Sequence, residues 1–209
     1  IARTQWTRFY LNAQDQQLSP QVSPTSASVS YLPMKNGVTF TTPALESACE
    51  ITGPSALKLF VSSASSDADF FVVFRVLDPQ GREVVFQGAL DPHTPVGQGW
   101  LRASHRKLDA RLSQPYRPYH THDEKQPLTP GQVYELDIEI WPTSIVIPKG
   151  YQIALSVLGK DYEWDGPAAT LSNMKNPMRG CGPFIHDEPS DRPEAIFSAP
   201  VTLHTGANH

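Results

Sequence analysis

Apolar and polar residues alternate with a period of two along much of this chain. The clearest case runs from Val133 to Trp141, where positions 134, 136, 138 and 140 are apolar and positions 135, 137 and 139 are acidic. A strand places these two sets on opposite faces, whereas a helix would scatter both around its axis. The segment therefore predicts a strand with one face in a core and the other in water.

Other segments show strand patterns between Pro and Gly turns. Asp69–Leu77 is apolar on both faces and ends at the turn signal Asp78-Pro79-Gln80-Gly81, which predicts a central strand in a hairpin with Glu83–Gln87. Because these runs are short and punctuated by turn residues, they favour strands over helices. The remaining predicted strands are Gln5–Leu11, Ala56–Val61, Ser144–Ile147, Tyr151–Leu158 and Pro200–Gly206.

Two glycine-containing stretches are expected to interrupt strands. Gly53-Pro54 predicts the boundary before the strand Ala56–Val61. Gly97-Gln98-Gly99 predicts a loop before a strand at Trp100. It lacks the third glycine and the helix of a dinucleotide site, and it lacks the Lys of a phosphate loop.

Composition supports an all-β fold in one domain. The 209 residues include 20 prolines and 13 glycines, which are spread along the whole length. Prolines at this density break long helices, because each removes a backbone donor and clashes with the preceding turn. No composition shift marks a domain boundary. We therefore expect a single domain over residues 1–209, a β-sandwich of the jelly-roll type.

Strand patterns lie at both ends of the sequence. The chain starts at Ile1 without an initiator Met and enters a strand pattern by Gln5, and another pattern begins at Pro200 close to the last residue. We therefore expect the chain to be part of a longer protein, with a segment before Ile1.

Charge and cysteine content argue against several classes of protein. The formal net charge is −4 and the Lys and Arg residues are scattered, so no basic surface for nucleic acid is expected. No apolar stretch approaches the roughly 20 residues that span a bilayer. Cys49 and Cys181 are far apart and lack the spacing of a zinc or redox motif. These features predict a cytoplasmic protein without nucleic-acid or membrane partners, and they leave its oligomeric state open, a homo-oligomer included.

Two long stretches interrupt the strand pattern. The stretch from Leu90 to Pro130 is rich in Pro, His, Tyr and Arg, and the stretch from Asp161 to Pro193 is rich in Gly, Pro and Asp. Loops of this length usually serve binding or a neighbouring surface. Any local function is therefore expected there. The candidate residues are Trp100, His105, Tyr116, Tyr119, His120, His122, Asp123 and Glu124.

The chain carries no complete catalytic motif. The G-x-S-x-G signature of a serine nucleophile is absent, and Ser104 and His105 are adjacent, so a strand would point them to opposite faces. Asp67-Ala68-Asp69 is not followed by the remaining ligands of a calcium loop, and we expect it to start a strand. The sequence therefore predicts no catalytic residue and no cofactor in this chain.

The histidine-rich stretch allows two alternative functions. His120 and His122 are followed by Asp123 and Glu124, which could hold a metal in a small metalloenzyme, but no third and fourth ligand can be assigned and we predict no metal site. Exposed aromatic rings could instead cover the apolar face of a sugar, which makes a carbohydrate-binding module the second alternative. The aromatic residues concerned are Trp100, Tyr116, Tyr119, Tyr162 and Trp164.

Six segments of the chain share one resemblance: Glu50–Ser63, Asp67–Phe71, Val76–Gly81, Gly99–Arg106, Leu128–Gly131 and Ile147–Leu155. Together, and in this order, they resemble the C-terminal domain of the CocE/NonD (cocaine-esterase-like) hydrolases. X-prolyl dipeptidyl aminopeptidases share this domain. The similarity covers most of the chain.

The resemblance implies a jelly roll similar to galactose-binding-like domains. In the family it packs against an α/β-hydrolase domain, which carries the Ser-His-Asp triad, and against a helical cap; these are the implied partners. It implies a non-catalytic domain of a serine hydrolase that cleaves esters, amides or X-Pro peptides, without turnover of its own. The stretch from His105 to Lys125 is then expected to lie on the catalytic domain and to help wall its active-site cleft.

Overall fold

The computed structural model describes residues 4–170, 177–183, 185–207 and 209. It contains two mostly antiparallel β-sheets that pack face to face. A 3₁₀ turn covers Ala103–His105 and a four-residue helix, α1, covers Glu194–Phe197. The described strands are β1 Tyr10–Asn12, β2 Gln17–Ser19, β3 Ala27–Tyr31, β4 Val38–Thr41, β5 Cys49–Ser63, β6 Asp69–Leu77, β7 Glu83–Val84, β8 Gly97–Arg102, β9 Tyr134–Ile147, β10 Gln152–Leu158 and β11 Val201–Thr205.

The strand order gives a jelly-roll sandwich and confirms the predicted fold class. One sheet runs β1-β2-β4-β10-β6-β7, with β8 also paired to β6, and the other runs β3-β11-β5-β9. The predicted hairpin of β6 and β7 forms, with Leu77 opposite Glu83. Since β8 and β9 belong to different sheets and pack against each other, they bring the two sheets together at one edge.

The core lies between the sheets, where the alternation places it. Leu136 and Ile138 of β9 are fully buried, and Leu59 and Val61 of β5 are buried beside them. Each such side chain contributes about 1.5–3 kcal/mol when it leaves water. The acidic residues between them on β9 point away from this core, as the period of two predicts.

Gly53-Pro54 does not bound a strand, which corrects the prediction. The strand β5 continues through this pair, and its register with β9 shifts between Gly53 and Ser55. Two residues of β9, Trp141 and Pro142, lie opposite Pro54 there, so the pairing contains a bulge. A bulge tolerates proline because the ladder hydrogen bonds are already interrupted. As a result β9 runs unbroken through the two strands predicted at 133–141 and 144–147.

Gly97-Gln98-Gly99 is part of β8 rather than a loop before it. A Cβ atom at Gly99 would lie 2.0 Å from the carbonyl oxygen of Glu139, so β8 crosses the backbone of β9 at this point. Glycine is required by that close approach between sheets. The sequence suggested a loop because β9, the strand whose close approach requires glycine here, is far away in sequence.

Two predicted strands are shorter than expected. In the stretch Gln5–Leu11, strand geometry begins only at Tyr10. In Glu83–Gln87 it ends at Val84, and Phe86 forms an isolated bridge with Thr94. Before Tyr10, the chain reaches the long loop after β8, where Trp6 stacks on Tyr116.

Candidate functional site

Two tryptophans meet at the edge where the sheets come together. Trp100 lies on β8 opposite Phe71 of β6, and its ring contacts that of Trp141 edge to face, with 5.1 Å between centroids. Trp141 lies at the bulge of β9 and is 63% exposed. Trp100 was a candidate from its sequence context and Trp141 was not, although an aromatic residue on the polar face of the alternating segment was the available signal.

The long loop after β8 is tied back to the sandwich by backbone hydrogen bonds. The N–H of Ala103 donates to the carbonyl of Ala68 at 2.8 Å, and the N–H of Leu128 donates to the carbonyl of Ser66 at 2.7 Å. Between these points, Leu108 and His120 form an antiparallel bridge. The loop is therefore a folded lobe beside β8.

Ser104 and His105 lie in the 3₁₀ turn Ala103–His105 rather than in a strand, and their side chains have different environments. Ser104 is 2% exposed, and its hydroxyl has no hydrogen-bond partner in the part of the chain that the structure describes. Its backbone N–H donates to the Asp67 carboxylate at 2.9 Å. Ser104 is thus a buried packing residue, while His105 faces a cleft between this lobe and the segment 185–193.

Three histidines form a cluster, which we call the histidine cluster: His105, His120 and His122. The Nδ1 atoms of His105 and His122 lie 3.1 Å apart and share one hydrogen bond, and the rings of His120 and His122 are 5.9 Å apart. Burial, followed by the charge of His122, lowers the pKa of His105. The same two causes, in the same order, lower the pKa of His120. The rings of His105 and His120 therefore favour the neutral form when they are packed in the cluster.

The acidic pair next to this cluster does not join it. Asp123 and Glu124 both contact the Lys107 ammonium, at 3.0 and 3.5 Å. Hydrogen bonds from Thr121 and from Lys107 lower the pKa of Asp123. Among the described residues, no three or more His, Cys, Asp or Glu side chains are placed to hold a metal ion together.

The two candidate tyrosines lie outside the cleft. Tyr116 stacks on Trp6 with 4.4 Å between ring centroids and 12° between planes. Tyr119 is 48% exposed, and its backbone N–H donates to the Ser113 hydroxyl at 3.0 Å. Neither ring lines the cleft, and the Tyr116 ring is next to the first residues of the described chain.

The opposite wall of the cleft is built on a buried carboxylate. Asp69, at the start of β6, accepts hydrogen bonds from Arg102 Nε and from Arg192 Nε, each at 2.8 Å. Arg102 also pairs with both oxygens of Asp191 at 2.9 and 2.8 Å. These contacts attach the segment 185–193 to the sheet, and the sequence analysis did not find them.

A cleft of about 340 Å³ lies between the two walls. The imidazole of His186 also faces it, and its Nδ1 bonds to the Asp161 carboxylate at 2.9 Å. Because both arginines are already paired, the polar groups left at the surface of the cleft are mostly imidazoles. The cleft is lined chiefly by Trp100, Arg102, His105, His120, His122 and His186.

The remaining two sugar-binding candidates are not open platforms. Tyr162 is 4% exposed, and burial raises the pKa of its hydroxyl. Trp164 stacks on His93 with 3.8 Å between ring centroids and 6° between planes. Near the cleft, the half-exposed Trp100 and the exposed Trp141 thus form an aromatic surface that can meet a ligand or a partner.

The two sheets and their order place the chain among jelly-roll β-sandwich domains. Residues 1–180 match the family described as the X-Pro dipeptidyl-peptidase C-terminal non-catalytic domain, and the chain belongs to that family.

Solved structures have the same architecture. A CocE/NonD family hydrolase from Staphylococcus aureus superposes with a TM-score of 0.83 at 25% identity, over 99% of this chain and 35% of that one. An aminopeptidase from a marine sediment archaeon of the Thaumarchaeota has a TM-score of 0.61 at 14% identity, over 95% of this chain and 34% of its own. At 14% identity, the match to the aminopeptidase shows a shared fold and nothing about function.

Two mycobacterial proteins are related in sequence. Each is named "Putative serine esterase", one from Mycobacterium bovis and one from Mycobacterium tuberculosis, and each is 33% identical over 129 residues. The aligned part is 59% of this chain and 19% of each relative. The chain thus spans about a fifth of the curated relatives that it matches.

No helix in the described part of the chain is both long enough and apolar enough to cross a membrane.

Proposed function

We propose that residues 1–209 form one domain at the C-terminal end of a CocE/NonD-type serine hydrolase, which acts on esters, amides or X-Pro peptides. In this proposal the domain scaffolds the catalytic and cap domains of the same protein. The observation that carries it is the match to the S. aureus hydrolase, which takes in nearly all of this chain and 35% of that one. The remaining length of that hydrolase leaves room for the domains that do the chemistry.

The docking surface we assign to this partner is the edge formed by Trp100, Trp141 and the lobe after β8. Tryptophan and tyrosine are enriched in the buried centres of protein interfaces. Trp141 is exposed at this edge, and the exposed Trp6 and Tyr119 add aromatic surface beside it. With the catalytic domain on this edge, the stretch from His105 to Lys125 would help to wall its active site.

The surface is tested in the full-length protein by Trp141→Ala. Val146 is the matched control, because it lies on the same strand and is also 63% exposed. Loss of an interface anchor costs 2 kcal/mol or more, roughly, in binding free energy. We expect Trp141→Ala to weaken domain docking, measured as earlier proteolysis between domains and a lower kcat/KM, whereas Val146→Ala leaves both unchanged. Equal behaviour of the two variants would count against the surface.

The chain by itself is proposed to have no turnover. Purified chain incubated with activated esters and X-Pro chromogenic substrates should release no product above buffer. Labelling by a serine-reactive fluorophosphonate probe would contradict this directly, because it would reveal an activated nucleophile.

A carbohydrate-binding module is the second candidate, and the open pair Trp100 and Trp141 is the observation that favours it. A sugar that binds the folded state would raise the Tm in a saturable way. If no member of a glycan panel shifts the Tm, the pair is left to the protein interface.

Cytoplasmic location, the absence of nucleic-acid partners and the oligomeric state also belong to this proposal. The net charge of −4 supports a lack of nucleic-acid binding. Cell fractionation of the full-length protein and light scattering of the purified chain would test location and assembly.

A further inference from the structure

The histidine cluster joins two ends of one loop. His105 lies in the turn directly after β8, while His120 and His122 lie on the returning arm of the lobe. Within the cluster, the described side-chain hydrogen bond that joins the two arms runs between the Nδ1 atoms of His105 and His122, which are 3.1 Å apart. Such a bond needs one ring that donates and one that accepts. It is lost when both rings are protonated, because both Nδ1 atoms then carry hydrogen.

The backbone at His122 has a conformation that its surroundings must hold. Its φ of 52° lies in the left-handed region, which few residues other than glycine adopt, although histidine is one of the more tolerant. Such a residue persists when neighbouring contacts compensate its cost. The bond to His105 is one of these contacts, beside the backbone hydrogen bond from the Thr121 N–H to the Lys107 carbonyl at 3.1 Å, so its loss weakens the hold on the returning arm.

The cluster also contains a buried group that is not satisfied. The Nε2 atom of His120 is buried and has no hydrogen-bond partner in the described part of the chain. A nitrogen in that position gains from contact with water. Opening of the arm therefore allows His120 to be solvated as well as protonated.

The groups around the cluster carry both signs of charge, and most of them are paired. Lys125 and Arg102 face His105, with Asp67 as the opposing acid, and Asp137 of β9 faces His120. Across the cleft, Arg102 and Arg192 are neutralised by Asp69 and Asp191, and His186 is bound to Asp161. Lys107 neutralises Asp123 and Glu124 on the arm itself. Asp137 in turn pairs with Lys58 at 2.9 Å, so mainly Asp67 is left near the cluster to offset a second protonated imidazole.

We propose that the histidine cluster is an acid-sensitive lock, which holds segment 119–125 against the cleft at neutral pH and releases it when the rings are protonated. The lock is a property of this chain and is independent of the hydrolase assignment. Its pH range follows from the pKa values of His105 and His120, which are lowered from the ordinary 6.5 in the closed loop. The closed form is fully favoured above that value and loses its advantage as the pH falls below it.

Hydrogen exchange of the backbone amides in segment 119–125 tests the lock, in EDTA, between about pH 7.5 and about pH 5. For each imidazole that takes up a proton on opening, the opening constant should stay constant above about pH 6.5 and rise up to about tenfold per pH unit as the pH falls below it. Protection in β5 and β9 should stay constant and serves as the internal reference for global unfolding. Unchanged protection of segment 119–125 over the whole range would overturn the proposal.

Three variants separate the lock from general effects of histidine. His105→Gln and His122→Asn cannot titrate, and Asn tolerates the left-handed conformation, so both should lose most of the pH dependence. His204→Gln is the matched control, because the pKa of His204 is also lowered by burial but its ring bonds to Ser62 on the other sheet, at 2.9 Å. If His105→Gln keeps the full pH dependence, the cluster is not the lock.

A spectroscopic measurement does not depend on any variant. At about pH 8, the ¹⁵N shifts of His105 and His122 should show complementary tautomers, with Nδ1 protonated in one ring and Nε2 in the other. The same tautomer in both rings would exclude the shared hydrogen bond and with it the proposal.

Discussion

Gly99 of β8 lies directly against the backbone of Glu139 in β9, so that a Cβ atom at position 99 would be 2.0 Å from the Glu139 carbonyl oxygen. The two residues belong to different sheets, and their contact closes the sandwich at the edge that also carries Trp100 and Trp141. The geometry of the candidate site therefore depends on a position without a side chain.

Gly99→Ala should destabilise the chain by about 3 kcal/mol, because the added methyl group meets backbone atoms that cannot move aside. Gly97→Ala in the same strand is the control. Its Cβ would lie 3.2 Å from a side-chain methyl of Ile140, which can adjust, so about 1 kcal/mol is expected. Urea denaturation measures both. Equal losses would show that the backbone contact at 99 is not the cause.

Asp69→Asn should cost about 3 kcal/mol, since it leaves the guanidinium groups of Arg102 and Arg192 without their buried carboxylate. The Arg192 side chain is only 7% exposed, so water cannot replace the lost partner. Asp123→Asn removes an exposed partner of Lys107 and should leave stability unchanged. Chemical denaturation distinguishes the two, and a neutral Asp69→Asn would refute the role of this network.

Asp91→Asn should cost about 2 kcal/mol by breaking a set of charge-assisted hydrogen bonds. One oxygen of Asp91 accepts from the N–H of His93 at 2.9 Å, and the other accepts from Gly180 and Gly182 at 2.7 and 3.0 Å. An amide nitrogen in place of one oxygen would face donors. Asp187→Asn, which changes an exposed acid a few residues after Gly182, is the control for thermal unfolding, and it should change the Tm far less.

Cys181 should react slowly with thiol reagents at neutral pH. Burial and the nearby carboxylates of Asp161 and Asp91 raise the pKa of its thiol to about 11. The thiolate is the reactive form, so about one thiol in a thousand is reactive at pH 8. In a Cys49→Ser variant, the rate with a disulfide reagent should rise about tenfold per pH unit from pH 8 towards pH 10. A fast reaction at pH 7 would contradict the raised pKa.

The loop that carries the candidate site could be predicted from the sequence, but only some of the contacts between its side chains could. His105, His120 and His122 were named from their residue types, and the structure brings them together with Trp100 at one cleft. In the structure, Asp123 and Glu124 pair with Lys107 rather than joining the histidines, and Tyr116 and Tyr119 lie outside the cleft. The spacing of residues along a loop does not tell which side chains meet when the lobe folds back on itself.

The opposite wall could not have been predicted in this way. Asp69 and Arg102 are 33 residues apart, and Asp69 and Arg192 are 123 residues apart. Each looks like an ordinary surface charge in its own stretch of sequence. Their pairing arises because β6 and β8 are neighbours in the sheet and segment 185–193 crosses them.

The local order of residues determined the fold class by itself. A period of two assigns each side chain to one of two faces, which made β10 and the first part of β9 recognisable without their partners. A short apolar run bounded by turn residues did the same for β6. The tertiary structure alone decided the bulge at Pro54, the glycine at 99, the Asp69 network and the histidine cluster. Each of these depends on a contact between segments that are distant in sequence, and only the pairing and packing of strands set such contacts.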